Sequence, residues 1–445
     1  TQYNTSWLRP RLQLLALLLG LSGLTASLGA QESPEVRVFR DGRAWEEETR
    51  GLVKILMGKQ LQVRSDRGSV IVRVGEPGQV SYRIHKRAYD RDEEQARALF
   101  RDFVVSVERT SAGVIFRGKQ QRQQPVSDFS DFVVRYEITV PAAYLADIET
   151  RGGKIEVDDL GEGLRAVTAG GNIRAGNLGG QTTAETKGGY ISLGKVGGPL
   201  RAVTAGGDIR VESVQGEATL VTRGGEIMAG RVEGSLRAET AGGDIYIRGA
   251  LGDVSAQTAG GRIVIGESGG RVRAQTAGGR ILIDGAAGPV EAATQGGGIE
   301  LTQIRKAVQA ATSVGNIVAH ILGEGKQISD SFLETSFGDV EVYLHPGLAV
   351  TIEAVIEMAA GHRIESEFPL KIEGVGTGYS LAATQVRGLG ELNGGGQRLR
   401  IRTVAGDIEI RKLTPHTLQR IEERQDNYWK HWQERFKRWW PQREQ

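Results

Sequence analysis

The phrase Thr204-Ala-Gly-Gly-Asp-Ile-Arg-Val returns down the chain every 18 residues, and this period constrains the fold more than any other feature of the sequence. Ten threonines open the units: Thr150, Thr168, Thr186, Thr204, Thr222, Thr240, Thr258, Thr276, Thr294 and Thr312. A Gly pair follows nearly every one, as in Gly170-Gly171 and Gly242-Gly243, and an Ile stands five residues after each, from Ile155 to Ile317. Self-similarity at a short fixed period marks a stacked-repeat architecture.

Within a unit the apolar residues alternate. Ile209 and Val211 share one face and Asp208 and Arg210 the other; Leu236, Ala238 and Thr240 oppose Arg237 and Glu239. That is the period of a half-buried strand. Each unit therefore reads as strand, Gly turn, strand, Gly turn, with too little apolar surface to fold by itself, so it must stack on its neighbours. The expected fold is all-β, a β-solenoid of stacked 18-residue rungs, and ten rungs make a rod roughly 50 Å long at about 4.8 Å per strand. The Gly pairs are assigned to corners, in positive-φ conformations that glycine visits cheaply. Aligned isoleucines form an internal ladder, each worth about 1.5–3 kcal/mol of burial before chain entropy is counted. Small residues at Ala166, Ala184, Ala202, Ala238, Ala256, Ala274, Ala292 and Ala310 imply a thin cross-section. The Thr column keeps the inward phase, its hydroxyls expected to bond one another or corner backbone; an outward, ice-facing Thr array is the rival.

The organisation outside the array follows from where the period stops. Residues 1–30 carry Arg9 and Arg11, a leucine-rich run from Leu12 to Leu28 and small residues up to Ala30, the layout of a secretory signal peptide. Cleavage is expected near Ala30, with an uncleaved N-terminal anchor as the alternative, because the run approaches the length of a membrane span. Residues 31–149 have fewer glycines and longer strands and read as a β-rich N-terminal cap region. There Leu61 to Val72 reads as a hairpin, Asp92 to Arg101 as a short helix covering an open end, and Phe132 to Val140 as a strand. Residues 150–329 are the regular solenoid. In 330–413 the phrase returns twice, at Thr335-Ser-Phe-Gly-Asp-Val and Thr403-Val-Ala-Gly-Asp-Ile, as an irregular continuation with longer loops.

Residues 414–445 read as an amphipathic helix, with Thr414 as N-cap and Pro415 at its first position. Leu418, Ile421, Tyr428, Trp429, Trp432, Phe436, Trp439 and Trp440 fall on one stripe, and Lys430, Arg435, Lys437 and Arg438 lie off it. Such a stripe needs a partner. Packing against the solenoid as a cap, docking on a membrane surface, or insertion in a protein groove are the three readings, and Trp429, Trp432, Phe436, Trp439 and Trp440 are the candidate interaction residues.

The chemistry expected of the chain is non-enzymatic. There is no cysteine, hence no disulfide framework, lipid-bearing thiol or thiolate metal site. Formal charge is +2, near zero once Arg9 and Arg11 are removed, with both signs interspersed, and a nucleic-acid partner would want a one-signed stripe. A calcium β-roll would need a carboxylate after every Gly pair, but Arg262 and Arg280 occupy that position in two rungs, so no metal is expected. Asp208 and Asp244, with Glu226 between, are the best acidic patch for a polysaccharide-cleaving site. Arg210 and Arg248 on the same faces favour a surface salt-bridge lattice instead. Five of the six histidines lie outside the array, His320 stands alone in its last regular rung, and no cofactor motif appears.

The N-terminal hairpin at Leu61 to Val72, the Tyr136-Glu-Ile-Thr-Val-Pro strand, the repeated Thr-x-Gly-Gly-x-Ile units, and the closing Asn393-Gly-Gly-Gly followed by Leu399-Arg-Ile-Arg-Thr-Val-Ala-Gly-Asp-Ile together resemble the bacterial putative-adhesin family of β-strand-repeat proteins, over roughly Val36 to Leu413. The resemblance implies the fold and brings no catalytic residues. The function expected is that of an exported envelope scaffold or adhesin presenting a long repetitive face, periplasmic, at the cell surface or secreted. Its partner is an envelope protein or glycan, with peripheral membrane contact through the C-terminal helix as a further option. The alternatives are a polysaccharide-binding or polysaccharide-acting envelope protein, or a self-assembling filament.

Overall fold

The computed structural model describes residues 33–55, 58–89, 92–121, 132–323, 328–375 and 384–439, so the segment read as a signal peptide lies outside the described residues. Each array unit supplies one strand to each of two sheets. Strands that begin at the array isoleucines stack in parallel, Ile155 opposite Ile173 and so on to Ile299 opposite Ile317, forming what we call the Ile sheet. Strands that run up to the threonines stack likewise in the Thr sheet, Ala166 opposite Ala184 and Ala184 opposite Ala202. Each sheet has 18 strands, which at about 4.8 Å per strand makes a stack roughly 80 Å long. The chain is the β-solenoid that its period implies.

The core is the space between the two sheets. The ten array isoleucines are at most 1% exposed, and so are the alanines facing them. The Thr column also points inward, which overturns the ice-facing rival. Each hydroxyl donates to the second corner Gly of the preceding rung: Thr204 to Gly189 O at 2.7 Å, Thr222 to Gly207 O at 2.8 Å, Thr240 to Gly225 O at 2.9 Å. Side-chain hydroxyls thus clamp rung to rung at the corner.

The reason for glycine at the corners is not the one expected. Among the described glycines at the array's Thr-side corners, only Gly153 and Gly315 adopt left-handed φ, at 112° and 146°. What excludes a side chain from the second Gly is the rung beneath it: a Cβ on Gly207 would lie 2.3 Å from Gly189 O, and on Gly243 2.1 Å from Gly225 O. Stacked backbones, not backbone dihedrals, demand the residue.

The N-terminal region is continuous with the array. Leu61 to Val72 is not a hairpin, because Gln60–Ser65 lies in the Thr sheet beside Leu145–Thr150 while Ser69–Gly75 lies in the Ile sheet beside Ile155–Val157. It is one more rung, with Ser65, Gly68 and Val70 in the places of Thr, second Gly and Ile. Thr150 Oγ1 donates to Gly68 O at 3.0 Å, the same clamp. Beyond this rung the strands turn antiparallel, Phe103–Arg109 with Gly113–Gln120 in one sheet and Ala44–Lys54, Gln79–Ala88 and Phe132–Pro141 in the other. Helix α1 (Glu93–Asp102) is capped by the Asp92 carboxylate, crosses from the Ile sheet to the Thr sheet, and buries Ala96 and Phe100.

At the other end the last rung in sequence is not the last in space. Arg398–Ala405 and Ile408–Lys412 stack directly on Ser331–Phe337 and Val340–Leu344, with Thr403 opposite Thr335. Val350–Ile356 and Ile364–Ser366 lie outside them. Helix α2 (Pro415–Trp439) therefore leaves from a rung only one removed from the array and runs back along the outer face of the Ile sheet.

Candidate functional site

The seat of α2 is written in one outward column of the Ile sheet. The residue after each array Ile is Glu156, Arg174, Ser192 and Arg210, then Met228, Tyr246, Val264 and Leu282, then Glu300 and Val318. Four successive rungs thus present apolar side chains where their neighbours present polar ones. Met228, Tyr246 and Val264 are buried against Trp432, and Leu282, Tyr428, Trp429 and Phe436 pack around them. The rings of Trp429 and Trp432 meet edge to face with centroids 5.9 Å apart, and Phe436 stacks on Trp432 at 5.2 Å.

The second outward column makes the seat specific. Gly266 is required by the rung beneath, where a Cβ would lie 2.1 Å from Arg248 O, and the Trp429 ring lies over the same spot, 3.1 Å from that Cβ position. One rung on, Trp429 Nε1 donates to Asp284 Oδ2 at 2.7 Å, and Gln425 Nε2 donates to Thr302 Oγ1 at 2.6 Å and Asp284 O at 3.2 Å. Arg424 and Arg280 both pair with Glu300, whose side chain is 8% exposed. Residues 425, 429, 432 and 436 meet successive rungs because a helical turn rises about 5.4 Å and a rung about 4.8 Å, so a helix inclined by roughly 25–30° keeps one turn per rung.

Burial beneath the helix pushes the Asp284 carboxyl up to about 6; the Trp429 and Gln425 donors pull against that shift and the nearby Glu300 adds to it. In the same column His320 is held below its ordinary value, chiefly by burial, and stacks on Tyr343 with ring centroids 4.6 Å apart.

Of the five candidate residues, Trp429, Trp432 and Phe436 lie on the rod side of α2. The side chain of Trp439, and Trp440 altogether, fall outside the described residues. The helix lies along the flank of the stack rather than over its end. Sequence reasoning missed the receiving residues Met228, Tyr246, Val264, Leu282 and Asp284. The signal was available, as a run of four apolar residues down a column, bounded by Arg210 on one side and Glu300 on the other.

The acidic patch of Asp208, Glu226 and Asp244 has structural work. Asp208 Oδ1 accepts from Glu226 N and Asp244 Oδ1 from Arg262 N, both at 2.8 Å, so each carboxylate caps an amide of the next rung. Arg210 pairs with Asp208 at 2.8 Å. Arg248 is not part of that lattice: its guanidinium lies against the Gln433 amide of α2. Among the described residues no three His, Asp or Glu side chains gather as metal ligands, and no described helix is long and apolar enough to cross a membrane.

No family model matches the chain, and no curated protein matches it. Among solved structures it is similar to a putative adhesin from Bacteroides fragilis NCTC 9343, at 13% identity and a TM-score of 0.26, over 67% of this chain and 96% of that one. It is also similar to a putative cell adhesion protein from Clostridium sporogenes ATCC 15579, at 8% identity and a TM-score of 0.18, over 83% of this chain and 100% of that one.

Proposed function

We propose that this chain is a non-enzymatic rod, an exported scaffold or adhesin element of the bacterial envelope. The observation that carries the reading is the single uninterrupted stack, two sheets of 18 strands sharing one core. A rod of that form holds attached partners apart and repeats a surface many times, and repeated weak contacts raise avidity without a strong single site. The carboxylates best placed for glycan cleavage are taken up in capping backbone amides, which supports a structural role for them. The outermost strand of the Ile sheet, Glu35–Asp41, is exposed and carries Glu35, Arg37, Arg40 and Asp41, charges of the kind that discourage edge pairing. That favours discrete rods over a filament.

The test is a pull-down from envelope extract with the full chain, read by mass spectrometry, run beside an assay for new reducing ends on envelope polysaccharide. Recovery of a surface partner with no new reducing ends is the expected result. Steady release of reducing ends by the purified chain would overturn the reading in favour of an enzyme.

A further inference from the structure

Between α2 and the Gly corners runs an open cleft of about 440 Å³, lined by Asp244, Arg262, Val264, Arg280, Leu282 and Tyr428. That volume lies in the range that small-molecule sites occupy. Its floor is apolar, with Val264 buried and Leu282 half-buried. One wall is the Tyr428 ring, fixed edge-on to Trp429 with centroids 5.3 Å apart. The opposite wall is bare, because the corner there presents Gly260 and Gly279. Gly279 is forced by the rung beneath it, but a Cβ on Gly260 would meet nothing nearer than 3.7 Å, so the fold does not require that part of the opening.

Arg262 and Arg280 come from successive rungs, about 4.8 Å apart by the strand spacing, and each side chain is 56% exposed. Their ion pairs engage one edge of each guanidinium: Arg262 Nε faces Asp244 at 3.0 Å, and Arg280 Nη2 faces Glu300 at 2.6 Å. A guanidinium carries five N–H donors, so Arg262 keeps both terminal nitrogens for a further acceptor and Arg280 keeps one. Two forks one strand apart match the two oxygens of a carboxylate. Beside them the phenol ring and apolar floor offer a flat surface to a ring. A neutral sugar would leave the charged donors with weaker acceptors, and an inorganic anion would leave the aromatic wall unused.

We propose that this cleft binds a uronate residue of an acidic polysaccharide, its carboxylate between Arg262 and Arg280 and its ring against Tyr428. The proposal rests on the envelope reading for where such a polymer is met, and on the cleft's own geometry for the rest. Titration calorimetry of the full chain with tri-galacturonate should give saturable binding, with maltotriose and sodium sulfate at least about tenfold weaker. Arg262→Ala and Arg280→Ala should each lower affinity about tenfold, the loss of one charge-assisted hydrogen-bonded contact. Tyr428→Ala should also weaken binding, while Lys195→Ala, at an exposed site elsewhere on the rod, should leave it unchanged. Both arginines are surface residues, and equal melting temperatures verify that the variants are folded. Absence of heat at millimolar tri-galacturonate overturns the proposal, as does equal binding of maltotriose or sulfate, or affinity indifferent to the two arginines. Loss of the cleft's binding with envelope partners still recovered refutes the ligand and leaves the rod reading standing.

Discussion

The two glycines of a corner look alike in sequence and do different work, and a pair of substitutions separates them. At Gly171 a Cβ would stand 1.9 Å from Gly153 O, 2.2 Å from Gly153 C and 2.6 Å from Lys154 N. All three are backbone atoms, so no rotamer relieves the clash and the rungs must part by about an ångström. Parting them strains the Thr168 Oγ1 to Gly153 O bond of 2.9 Å and the Ile155 N to Asn172 O bond of 2.9 Å. With about 1 kcal/mol for each hydrogen bond, and packing lost between the same rungs, Gly171→Ala should cost roughly 2–4 kcal/mol. Gly170 is the opposite case. No atom lies within 4 Å of its Cβ position and its φ is not left-handed. Gly170→Ala should therefore stabilise by about 0.4–1 kcal/mol, through lower entropy of the unfolded chain. Because repeat arrays can lose cooperativity, urea midpoints should be paired with hydrogen exchange at the Ile155 and Ile173 amides. Equal effects of the two substitutions, or a larger loss at Gly170, would refute the stacking argument.

Four further outcomes are expected. Ile245→Asp places a charge at a fully buried position of the core and should destabilise the rod by several kcal/mol, read as a lower denaturation midpoint; an unchanged midpoint would mean that the inner face is misassigned. Adding millimolar calcium and then chelator should leave circular dichroism and melting temperature unchanged, and a calcium-dependent gain of β signal would contradict the corner chemistry described. Asp284→Asn tests the buried carboxyl under α2. Its value, about 6, is raised, so its contribution to docking is complete below about pH 4 and is lost as pH rises through 6. The variant should therefore protect α2 against hydrogen exchange by about 1–3 kcal/mol more than wild type at pH 8 and equally at pH 4. The comparison with wild type cancels the opposing titration of His320, and equal protection at pH 8 would remove Asp284 from the account. Deleting residues 414–445 should bare the Met228, Tyr246, Val264 and Leu282 face, lower the melting temperature and cause self-association; a truncated rod as stable and soluble as the full chain would show that α2 does not hold there.

Most of the fold was legible because an 18-residue period leaves few alternatives, and the in-phase Ile, Ala and Thr columns fix which side is core. The misreadings fall where the rule is carried by substitutes or by distance. At Leu61 to Val72 the spacing is intact, Gly68 and Val70 standing three and five residues after Ser65 as in the array, but Arg67 replaces the first Gly of the pair, and Asp66-Arg67-Gly68 imitates a turn between strands. The reason for the second corner Gly was not legible at all, since it is set by the approach of a rung that is 18 residues away. The α2 stripe was visible from its 100° spacing, whereas its partner column needed the rungs to be aligned and read downward. The cleft beside Tyr428 was beyond the sequence, because it exists between α2 and Arg262 and Arg280, segments about 150 residues apart.

The position of α2 bears on what the chain can do with its aromatic residues. A membrane-binding stripe and a rod-binding stripe would use the same side chains, and Trp432 is 7% exposed against the rod. Contact with lipid through Trp429, Trp432 and Phe436 therefore requires the helix to leave its seat, breaking the Trp429 to Asp284 and Gln425 to Thr302 bonds and baring four apolar residues of the Ile sheet. A buried Trp removed from such a site costs about 3–5 kcal/mol by the scale of large-to-small substitutions, more than a single interfacial anchor returns. The match of one helical turn per rung explains why the seat is a good one. Every turn of α2 from Gln425 to Phe436 finds a side chain of the next rung at the same height, so the contact grows with length instead of drifting out of phase. In its docked state the helix is thus a brace along the stack. Its outward contribution is the wall it lends to the cleft at Tyr428, which a rod lacking α2 would not possess.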